Sequence, residues 1–544
     1  MNAAQTRAVK AHPNHYDAIV VGAGVAGLYT LYHLRAAGKK VICLEAGGGV
    51  AGTWYWNRYP GARVDSQAYI YQYFFSQEVL NEWDWGELFP AQPETERYLN
   101  FVTDKCDLRK DIRFNTHVDS AVYDEATQTW QIATANGERY ETKYFVGCVG
   151  MLSAALKDPC PGREHFKGLV CHTSAWPHAP VDFTGKRVGV VGTGATGIQV
   201  IQTVAPLCRH LTVFQRTPQY SIPMRNPKLT AEDNAAYRRN AEAMRKRVRE
   251  TFAGFHTDLQ TGNYWDRPPE ERNKFLEQMW AEGSLCFVAA NYAEVFIDEK
   301  VNAEVTAFVT GKMRKRINNP ELEAKLIPTT YGFGTRRVPL DTGYLETYHR
   351  DNVDLVDVST DSVAQITENG LRLASGREYP LDILVFATGF DGGSGAFTRI
   401  DIRGRDGQTL KDYWDKDLRT TLGLQVHGFP NFFTTGAPLA PSAAFCNMQT
   451  CLCQQADWII DTIKYLDDHG LHSIEPTAEY EAAWVAQHDA IANSTLFPRT
   501  KSWYMGTNVD GKTRRLVTYL GGDVAYQQAC NEAKESGYQG FVLT

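Results

Sequence analysis

Two segments of this 544-residue chain share one pattern, in which a short apolar run leads through a glycine-rich turn into helically spaced apolar residues. In the first segment, residues 17–21 are followed by Gly22, Gly24 and Gly27 in the spacing G-x-G-x-x-G. Glycines at these positions let the backbone approach a pyrophosphate at the N-terminus of a helix. The strand, the turn and the helix together predict a dinucleotide-binding unit built on a parallel sheet.

An acidic residue follows the next predicted strand of this unit. Residues 41–44 are apolar and predict the strand, and Glu45 comes directly after it. A carboxylate in this place can accept hydrogen bonds from the hydroxyls of a ribose. A glycine-rich turn without a ligand is the alternative, but such a turn requires neither the helix nor the acid. Because the unit lies near the N-terminus and carries Glu45, we expect it to bind FAD.

The same pattern returns after the predicted strand 187–191. There the second strand, residues 211–214, leads to Arg216 and Thr217 instead of an acid. A cation at this position favours the 2′-phosphate of NADP, which an acid would repel. Two units imply two dinucleotides, so we expect NADP in the second. The residues assigned to its site are Gly192, Thr193, Gly194, Ala195, Thr196, Gly197, Gln199, Arg216 and Thr217.

The predicted fold class is α/β, with two Rossmann-like dinucleotide-binding domains (FAD and NADP) and a helical insertion in the NADP domain. Polar helical segments such as 231–252 and 270–281 indicate the insertion, and short strands follow it. The expected division is 1–150 for the N-terminal part of the FAD domain, 151–224 for the NADP domain with a linker, 225–330 for the insertion, 331–380 for the rest of the NADP domain, and 381–544 for the C-terminal part of the FAD domain.

Composition excludes several classes of protein. The net charge of −7 argues against a nucleic-acid or anionic-membrane partner. Residues 420–456 carry no Asp, Glu, Lys or Arg, but repeated Gly and Pro predict a buried strand, a loop and a helix start instead of a membrane span. The eleven cysteines include no Cys-x-x-Cys pair. We therefore expect reduced, mostly buried thiols and no metal site in a cytoplasmic protein.

Two further motifs narrow the function. Residues 166–177 match F-x-G-x-x-x-H-x-x-x-W-P, and residues 52–65 match G-x-W-x-x-x-x-Y-P-G-x-x-x-D. With the two glycine-rich turns, they make the chain resemble the type I Baeyer–Villiger monooxygenases, and most closely the cycloalkanone type, from about residue 17 to residue 541. The resemblance implies that NADPH reduces FAD, and that a peroxide at C4a of the flavin inserts one oxygen atom of O2 next to a ketone carbonyl to give an ester or lactone.

The resemblance also implies the catalytic groups. A nucleophilic peroxide anion requires a fixed cation, and arginine keeps its charge at any working pH. The segment 331–339 resembles the arginine-bearing loop of the family, so Arg337 is expected as the active-site cation, with Asp65 as the carboxylate that holds it. Arg336 replaces a lysine commonly found there for the 2′-phosphate. Two arginines on a solvated turn are the alternative. His172 is expected to hold the linker between the domains and is not in the catalytic set.

Other positions are carried over from the family as cofactor contacts. The mobile loop of the family has a Trp that meets NADP, and Trp503 falls there. Residues 438–445 are expected to line the ketone pocket. The residues expected to contact FAD are Gly22, Gly24, Gly27, Glu45, Thr53, Trp54, Asp65, Tyr71, Val118 and Met448.

Three other functions share parts of this scaffold. A flavin-containing N- or S-oxygenase remains an alternative, and the rates on a cyclic ketone and a tertiary amine would discriminate the two. A pyridine-nucleotide disulfide reductase is disfavoured because the chain has no Cys-x-x-Cys. A flavin-binding sensor would bind NADPH without consuming it. The expected partners are a small ketone and O2, with no nucleic acid, no membrane and a monomeric or weakly oligomeric chain; the preferred ketone is left open.

Overall fold

The computed structural model describes residues 14–544. Its strands are β1 (His15–Val21), β2 (Val41–Leu44), β3 (Ile112–Arg113), β4 (Val118–Asp124), β5 (Thr129–Thr134), β6 (Arg139–Gly147), β7 (Leu169–His172), β8 (Arg187–Val191), β9 (His210–Gln215), β10 (Ile222–Pro223), β11 (Leu340–Asp341), β12 (Val353–Asp357), β13 (Val363–Thr367), β14 (Gly370–Leu373), β15 (Glu378–Pro380), β16 (Ile383–Phe386), β17 (Asp401–Arg403), β18 (Phe432–Thr434), β19 (Ile474–Pro476) and β20 (Phe541–Leu543). Its helices are α1 (Val25–Ala36), α2 (Thr53–Trp56), α3 (Gln77–Glu82), α4 (Gln92–Lys105), α5 (Ala195–Val204), α6 (Ala231–Arg239), α7 (Ala241–Val248), α8 (Pro269–Glu282), α9 (Cys286–Ala289), α10 (Glu299–Ile317), α11 (Pro320–Leu326), α12 (Tyr344–Thr347), α13 (Gly395–Thr398), α14 (Leu410–Lys416), α15 (Met448–Asp468), α16 (Ala478–Asn493) and α17 (Asp523–Glu535).

The first sheet contains the first glycine-rich turn. Its strand order is β17-β4-β5-β6-β1-β2-β3, and β18 pairs with the C-terminal end of β6. The strands β6, β1, β2 and β3 run parallel, whereas β4, β5 and β6 pair antiparallel. Helices α1 and α15 pack against each other beside this sheet. Residues 18–21 of β1 are all apolar and buried, as is typical of a parallel strand that is covered on both faces.

The second sheet contains the second turn. It has five parallel strands in the order β12-β9-β8-β16-β7. Both glycine-rich turns follow a central strand of their sheet, β1 in one and β8 in the other. Ligands of open parallel sheets bind at the carboxyl ends of such strands. The chain therefore has two separate sheet edges suited to a dinucleotide, as the α/β prediction requires.

One expected domain boundary needs correction. Residues 381–544 were assigned to the FAD domain, yet β16 pairs with β7 and β8 in the second sheet. The apolar run of β16 suits a buried strand of either sheet, so the sequence did not specify which sheet receives it. We propose that the boundary lies after Phe386.

The insertion is helical, as expected, and joins two paired strands. Strand β10 precedes it and β11 follows it, and the two pair in parallel. The predicted helical segment 231–252 is divided into α6 and α7 at Asn240. Arg249, just beyond α7, forms an ion pair with Asp457 of α15, at 2.7 Å between Nη2 and Oδ2. The insertion thus packs against the first unit.

The uncharged segment 420–456 contains β18, a loop and the first residues of α15, as predicted. Among residues 14–544, no helix is both long and apolar enough to cross a membrane.

The expectation that all cysteines are reduced is wrong for one pair. Cys446 and Cys451 form a disulfide, with their Cα atoms 6.5 Å apart. This separation lies within the usual range for a disulfide. The nine other cysteines are free thiols, and all of them except Cys106 are buried. The spacing in sequence does not predict this pair, because a loop and the first turn of a helix bring together residues five positions apart.

Candidate active site

The first turn leaves no room for a side chain at Gly22 or Gly27. Gly22 has φ of +102°, and a Cβ on Gly27 would overlap the carbonyl oxygen of Gly22. Helix α1 begins at Val25, so its first backbone N–H groups lie at the turn. The fit to a pyrophosphate is therefore in the backbone itself.

Glu45 lies at the same turn. Its Oε2 accepts a hydrogen bond from Ala23 N at 2.6 Å, and its Oε1 accepts one from Gly47 N at 2.7 Å. The side chain is 4% exposed, and burial raises its pKa. Two backbone bonds leave further lone pairs for ribose hydroxyls. Val118 is the first residue of β4 and follows two residues after Thr116, whose N–H donates to Glu45 O at 2.8 Å.

The second turn repeats this construction with one difference. Gly192 has φ of +106°, and a Cβ on Gly197 would overlap the Gly192 carbonyl, whereas a Cβ on Gly194 would meet open space. Thr193 Oγ1 donates to Thr217 O at 3.1 Å, which ties the turn to the segment after β9. Ala195 and Thr196 are the first two residues of α5. The open side at Gly194 is where the phosphates of a dinucleotide would approach.

The two cations expected at the 2′-phosphate belong to one cluster of loops. Tyr331 OH donates to Pro218 O at 2.8 Å, two residues beyond Arg216. The guanidinium of Arg336 lies over the Tyr331 ring, 5.0 Å from its centroid. Arg216 is exposed, and neither arginine forms an ion pair with any residue of the part of the chain that is described. Both charges are thus available to a phosphate.

Arg337 joins three segments that are distant in the sequence. Its Nη2 donates to Asp65 Oδ2, and its Nη1 donates to Ala443 O at 2.8 Å. Burial lowers the pKa of Arg337, but the charges and hydrogen bonds of Asp65 and Tyr504 together outweigh it, and the net shift is upward. A guanidinium held by two acceptors is a fixed positive charge at any working pH.

The loop that carries Asp65 is held by the second unit. Tyr59 OH donates to Gln199 Oε1 at 2.9 Å, and Gln199 Nε2 donates to Arg63 O at 3.2 Å. Gln199 lies in α5, directly beyond the second glycine-rich turn. Gln199, a residue that the sequence predicts at the NADP site, binds this loop through both ends of its amide. The position of Asp65 therefore depends on contact between the two units.

The residues expected at the flavin are spread over two segments. Trp54 Nε1 donates to Tyr71 OH at 3.1 Å, and burial raises the pKa of Tyr71 to about 12. Thr53 is exposed at the start of α2, and Met448 begins α15. Buried side-chain atoms without a hydrogen-bond partner among residues 14–544 flank Met448: Ser442 Oγ, Asn447 Oδ1 and Gln449 Oε1. Buried polar atoms normally have partners, so the segment suits a group with a polar edge, such as the flavin ring.

Trp503 lies on the C-terminal loop against the second sheet. Its ring packs on Gly392, in the segment that follows β16. Asn508 Nδ2 donates to Phe390 O at 2.7 Å, and Lys512 forms an ion pair with Asp391. The loop is thus docked at the edge where the second dinucleotide is expected.

The linker motif makes structural contacts. His172 ends β7, and its Nδ1 is 2.7 Å from Ser174 Oγ, while its Nε2 is 3.3 Å from Thr388 Oγ1. Trp176 N donates to Trp56 O at 3.2 Å, which joins the linker to the segment 52–65. Burial lowers the pKa of His172. These contacts favour the linker role over a catalytic one.

Comparison with known proteins agrees with this arrangement. Residues 16–252 match the family described as flavin-binding monooxygenase-like. The acetone monooxygenase (methyl acetate-forming) of Gordonia sp. (strain TY-5) is 52% identical over 528 residues, which cover 97% of this chain and 99% of that relative. The chain belongs to the flavin-binding monooxygenase-like family. Its resemblance to the Baeyer–Villiger type is confirmed.

Two further comparisons cover nearly the whole monooxygenase. The phenazine N-monooxygenase of Lysobacter antibioticus is 38% identical and covers 97% of this chain and 97% of that relative. The crystal structure of the OTEMO complex with FAD and NADP (form 4) matches with a TM-score of 0.93 at 38% identity and covers 97% of this chain and 99% of that one. The α/β prediction with two Rossmann-like domains is confirmed.

Sequence reasoning missed two groups beside Arg337 in this monooxygenase. One is the Ala443 carbonyl, which is a backbone atom and leaves no mark in the residue type. The other is Tyr504, whose pKa burial raises to about 12 against the opposing charge of Arg337. Its position next to Trp503 was the available signal.

Proposed function

We propose that this monooxygenase is an FAD- and NADPH-dependent Baeyer–Villiger enzyme that inserts one oxygen atom of O2 next to a ketone carbonyl and yields an ester or lactone. The convergence of Arg337, Asp65 and Ala443 carries the proposal, because it provides a fixed cation where the two nucleotide units meet. The family relationship along the full chain supports the same reaction.

The residues at the two sheet edges would hold the cofactors. Gly22, Gly24, Gly27 and Glu45 would hold FAD, and the second turn with Arg216 and Arg336 would hold NADP. When bound, FAD supplies the activation of oxygen and NADPH supplies the hydride. The separation of these edges supports the proposal of one cofactor for each unit.

Arg337 would stabilise the negative charge that develops on oxygen during ketone attack. A neutral ketone carries no such charge, so a preorganised cation lowers the energy of the charged species selectively. Asp65 and the Ala443 carbonyl fix the guanidinium before substrate binds. No reorganisation is then needed when the charge appears.

A small acyclic ketone is the substrate we propose to test first. The acetone monooxygenase supports this choice by its 52% identity. Phe445 lies two residues from Ala443, and its ring centroid is 4.9 Å from that of Phe296 and 5.2 Å from that of Phe497. Three packed aromatic rings next to the segment that binds the cation would leave less room for a bulky ketone.

Oxidation of nitrogen is the second candidate, since the phenazine N-monooxygenase is also related along the whole chain. The test is product analysis with acetone, cyclohexanone and a tertiary amine under the same conditions. Ester or lactone formed in step with NADPH consumption is the expected result. Amine oxide formation with no ester would contradict the main proposal. The cytoplasmic location and the monomeric or weakly oligomeric state stay predictions.

A further inference from the structure

The disulfide between Cys446 and Cys451 lies next to the segment that holds the catalytic cation. Ala443, whose carbonyl accepts from Arg337, is three residues before Cys446. Cys451 lies in the first turn of α15. The bridge therefore closes a short loop around Asn447 and Met448 and ties the Arg337-binding segment covalently to the helix.

We propose that Cys446 and Cys451 are a reversible dithiol–disulfide pair, oxidised by hydrogen peroxide, that sets the position of the segment holding Arg337. Hydrogen peroxide is the by-product of a flavin monooxygenase whose reduction is not coupled to oxygen insertion. The effect on catalysis rests on the proposed function, whereas the thiol chemistry does not.

A carboxylate is placed to assist this chemistry. Oxygen and sulfur atoms of Asp523, Cys446 and Cys451 all lie within 4.8 Å of one another. Asp523 begins α17 and is 1% exposed. Its Oδ2 accepts from Gln527 Nε2 at 3.3 Å, but its Oδ1 has no hydrogen-bond partner among residues 14–544. A buried, unpaired acceptor beside two sulfurs can take up a thiol proton.

Burial raises the pKa of Asp523 to about 7. Its carboxylate is therefore a stronger base than an ordinary aspartate, and it still holds a deprotonated fraction near neutral pH. This agrees with a role as proton acceptor, which the geometry alone already indicates.

The two cysteines have different access to an oxidant. Cys446 is 8% exposed and Cys451 is fully buried. Cys446 sulfur, having given its proton to Asp523, attacks the peroxide, so that an S–O bond forms, the O–O bond breaks and the hydroxide released takes up the proton as water. Cys451 sulfur then displaces the second hydroxide, which leaves as water with the Cys451 proton. In total, two thiols lose two hydrogens and one peroxide becomes two waters.

Closing the bridge restricts the turn before α15. Cys446 N donates to Ser442 O at 2.8 Å, and Phe445 N donates to the same oxygen at 3.0 Å. The covalent link adds to these two bonds and limits the motion of Ala443. Reduction removes the link, and the Arg337–Ala443 hydrogen bond is then less well fixed.

The chemical experiment uses the full-length holoenzyme and needs no substrate. The protein is reduced with a dithiol, freed of reductant, exposed to stoichiometric hydrogen peroxide, alkylated and examined by peptide mass spectrometry. Cys446 and Cys451 should escape alkylation after peroxide and regain it after reduction. Equal alkylation of both before and after peroxide would overturn the proposal.

Variants separate the roles of the three residues. Asp523→Asn should slow formation of the bridge by about tenfold or more, since a proton acceptor is lost. Cys446→Ser should leave Cys451 open to alkylation after peroxide. Cys106→Ser, at a half-buried free thiol, is the matched control and should leave bridge formation unchanged. A bridge that forms at the same rate in Asp523→Asn would contradict the role of the carboxylate.

A kinetic experiment compares the ketone KM and the peroxide release of oxidised and reduced wild-type enzyme. Reduction should raise the ketone KM and the peroxide released per NADPH by about two- to tenfold, the range for weakening one hydrogen bond. FAD content should not change. Reversible thiol pairing with unchanged KM and coupling would overturn the link to Arg337. Absence of any ester product would instead contradict the proposed function, while the alkylation result would still decide the thiol chemistry.

Discussion

The two glycine-rich turns have nearly the same backbone but opposite charges after the second strand. In the first unit, Glu45 is buried and bonded to the backbone N–H groups of its own turn. In the second, Arg216 is exposed and free of ion pairs within residues 14–544. The backbone of each turn provides for a pyrophosphate, and a single side chain beyond it distinguishes the two dinucleotides.

The two units also differ in what surrounds them. The second unit holds part of the reaction site in place, because Gln199 of α5 binds the loop that carries Asp65. The reaction site itself, Arg337 with Asp65 and Ala443, belongs to neither turn. Cofactor binding and oxygen insertion should therefore fail separately when their own residues are changed.

The largest expected effect tests that separation. Arg337→Ala should lower ester formation by about two to three orders of magnitude, because a preorganised donor at a developing negative charge is lost. FAD should still bind, and NADPH should still reduce it. Arg337→Lys should recover little, since an ammonium cannot reproduce the planar fork held by Asp65. Product yield and the rate of flavin reduction are the two measurements.

The matched control for that experiment is Arg245→Ala. Arg245 forms an ion pair with Glu242 on the exposed face of α7 and has no role at either turn. It should keep ester formation near the wild-type rate. Ester formation by Arg337→Ala at a rate close to that of the control would show that the catalytic cation is assigned wrongly.

A second pair of variants compares the two turns directly. Gly27→Ala and Gly197→Ala each introduce a Cβ against the carbonyl oxygen of the first glycine of the same turn. Such overlap costs about 1–3 kcal/mol, which corresponds to roughly five- to 150-fold in affinity. Gly27→Ala should lower FAD content, and Gly197→Ala should raise the NADPH KM with FAD retained. Loss of FAD in both variants would show that the turns are not independent.

Removal of the positive charge after the second strand of the second unit should have a smaller effect. Arg216→Ala should raise the NADPH KM by about tenfold, as expected when one charge-assisted hydrogen bond is removed. The KM for NADH should change much less, because NADH has no 2′-phosphate. Steady-state kinetics with both nucleotides are the test. An unchanged preference for NADPH over NADH would assign Arg216 another role.

The sequence predicted the local features and lost accuracy where distant segments meet. The two turns are contiguous patterns, so Gly22 to Gly27 and Gly192 to Gly197 were found directly. Arg337 and Asp65 are separated by 272 positions, and only the family resemblance paired them. The Ala443 carbonyl and the Cys446–Cys451 bridge depend on how the loop before α15 folds, and no residue pattern specifies that.

The smallest effect concerns the loop that covers the second unit. Trp503 packs on Gly392, and Asn508 holds the same loop to Phe390, so the loop keeps several contacts when the indole is removed. Trp503→Ala should therefore keep the loop docked. The missing indole should create space above the nucleotide-binding edge, so that NADP is retained less well and water can enter. We expect the hydrogen peroxide released per NADPH consumed to rise by about two- to threefold, with FAD content unchanged. Trp265→Ala, at an exposed tryptophan of the insertion, is the control and should leave the ratio as in the wild type. An equal ratio in both variants would mean that Trp503 serves packing alone.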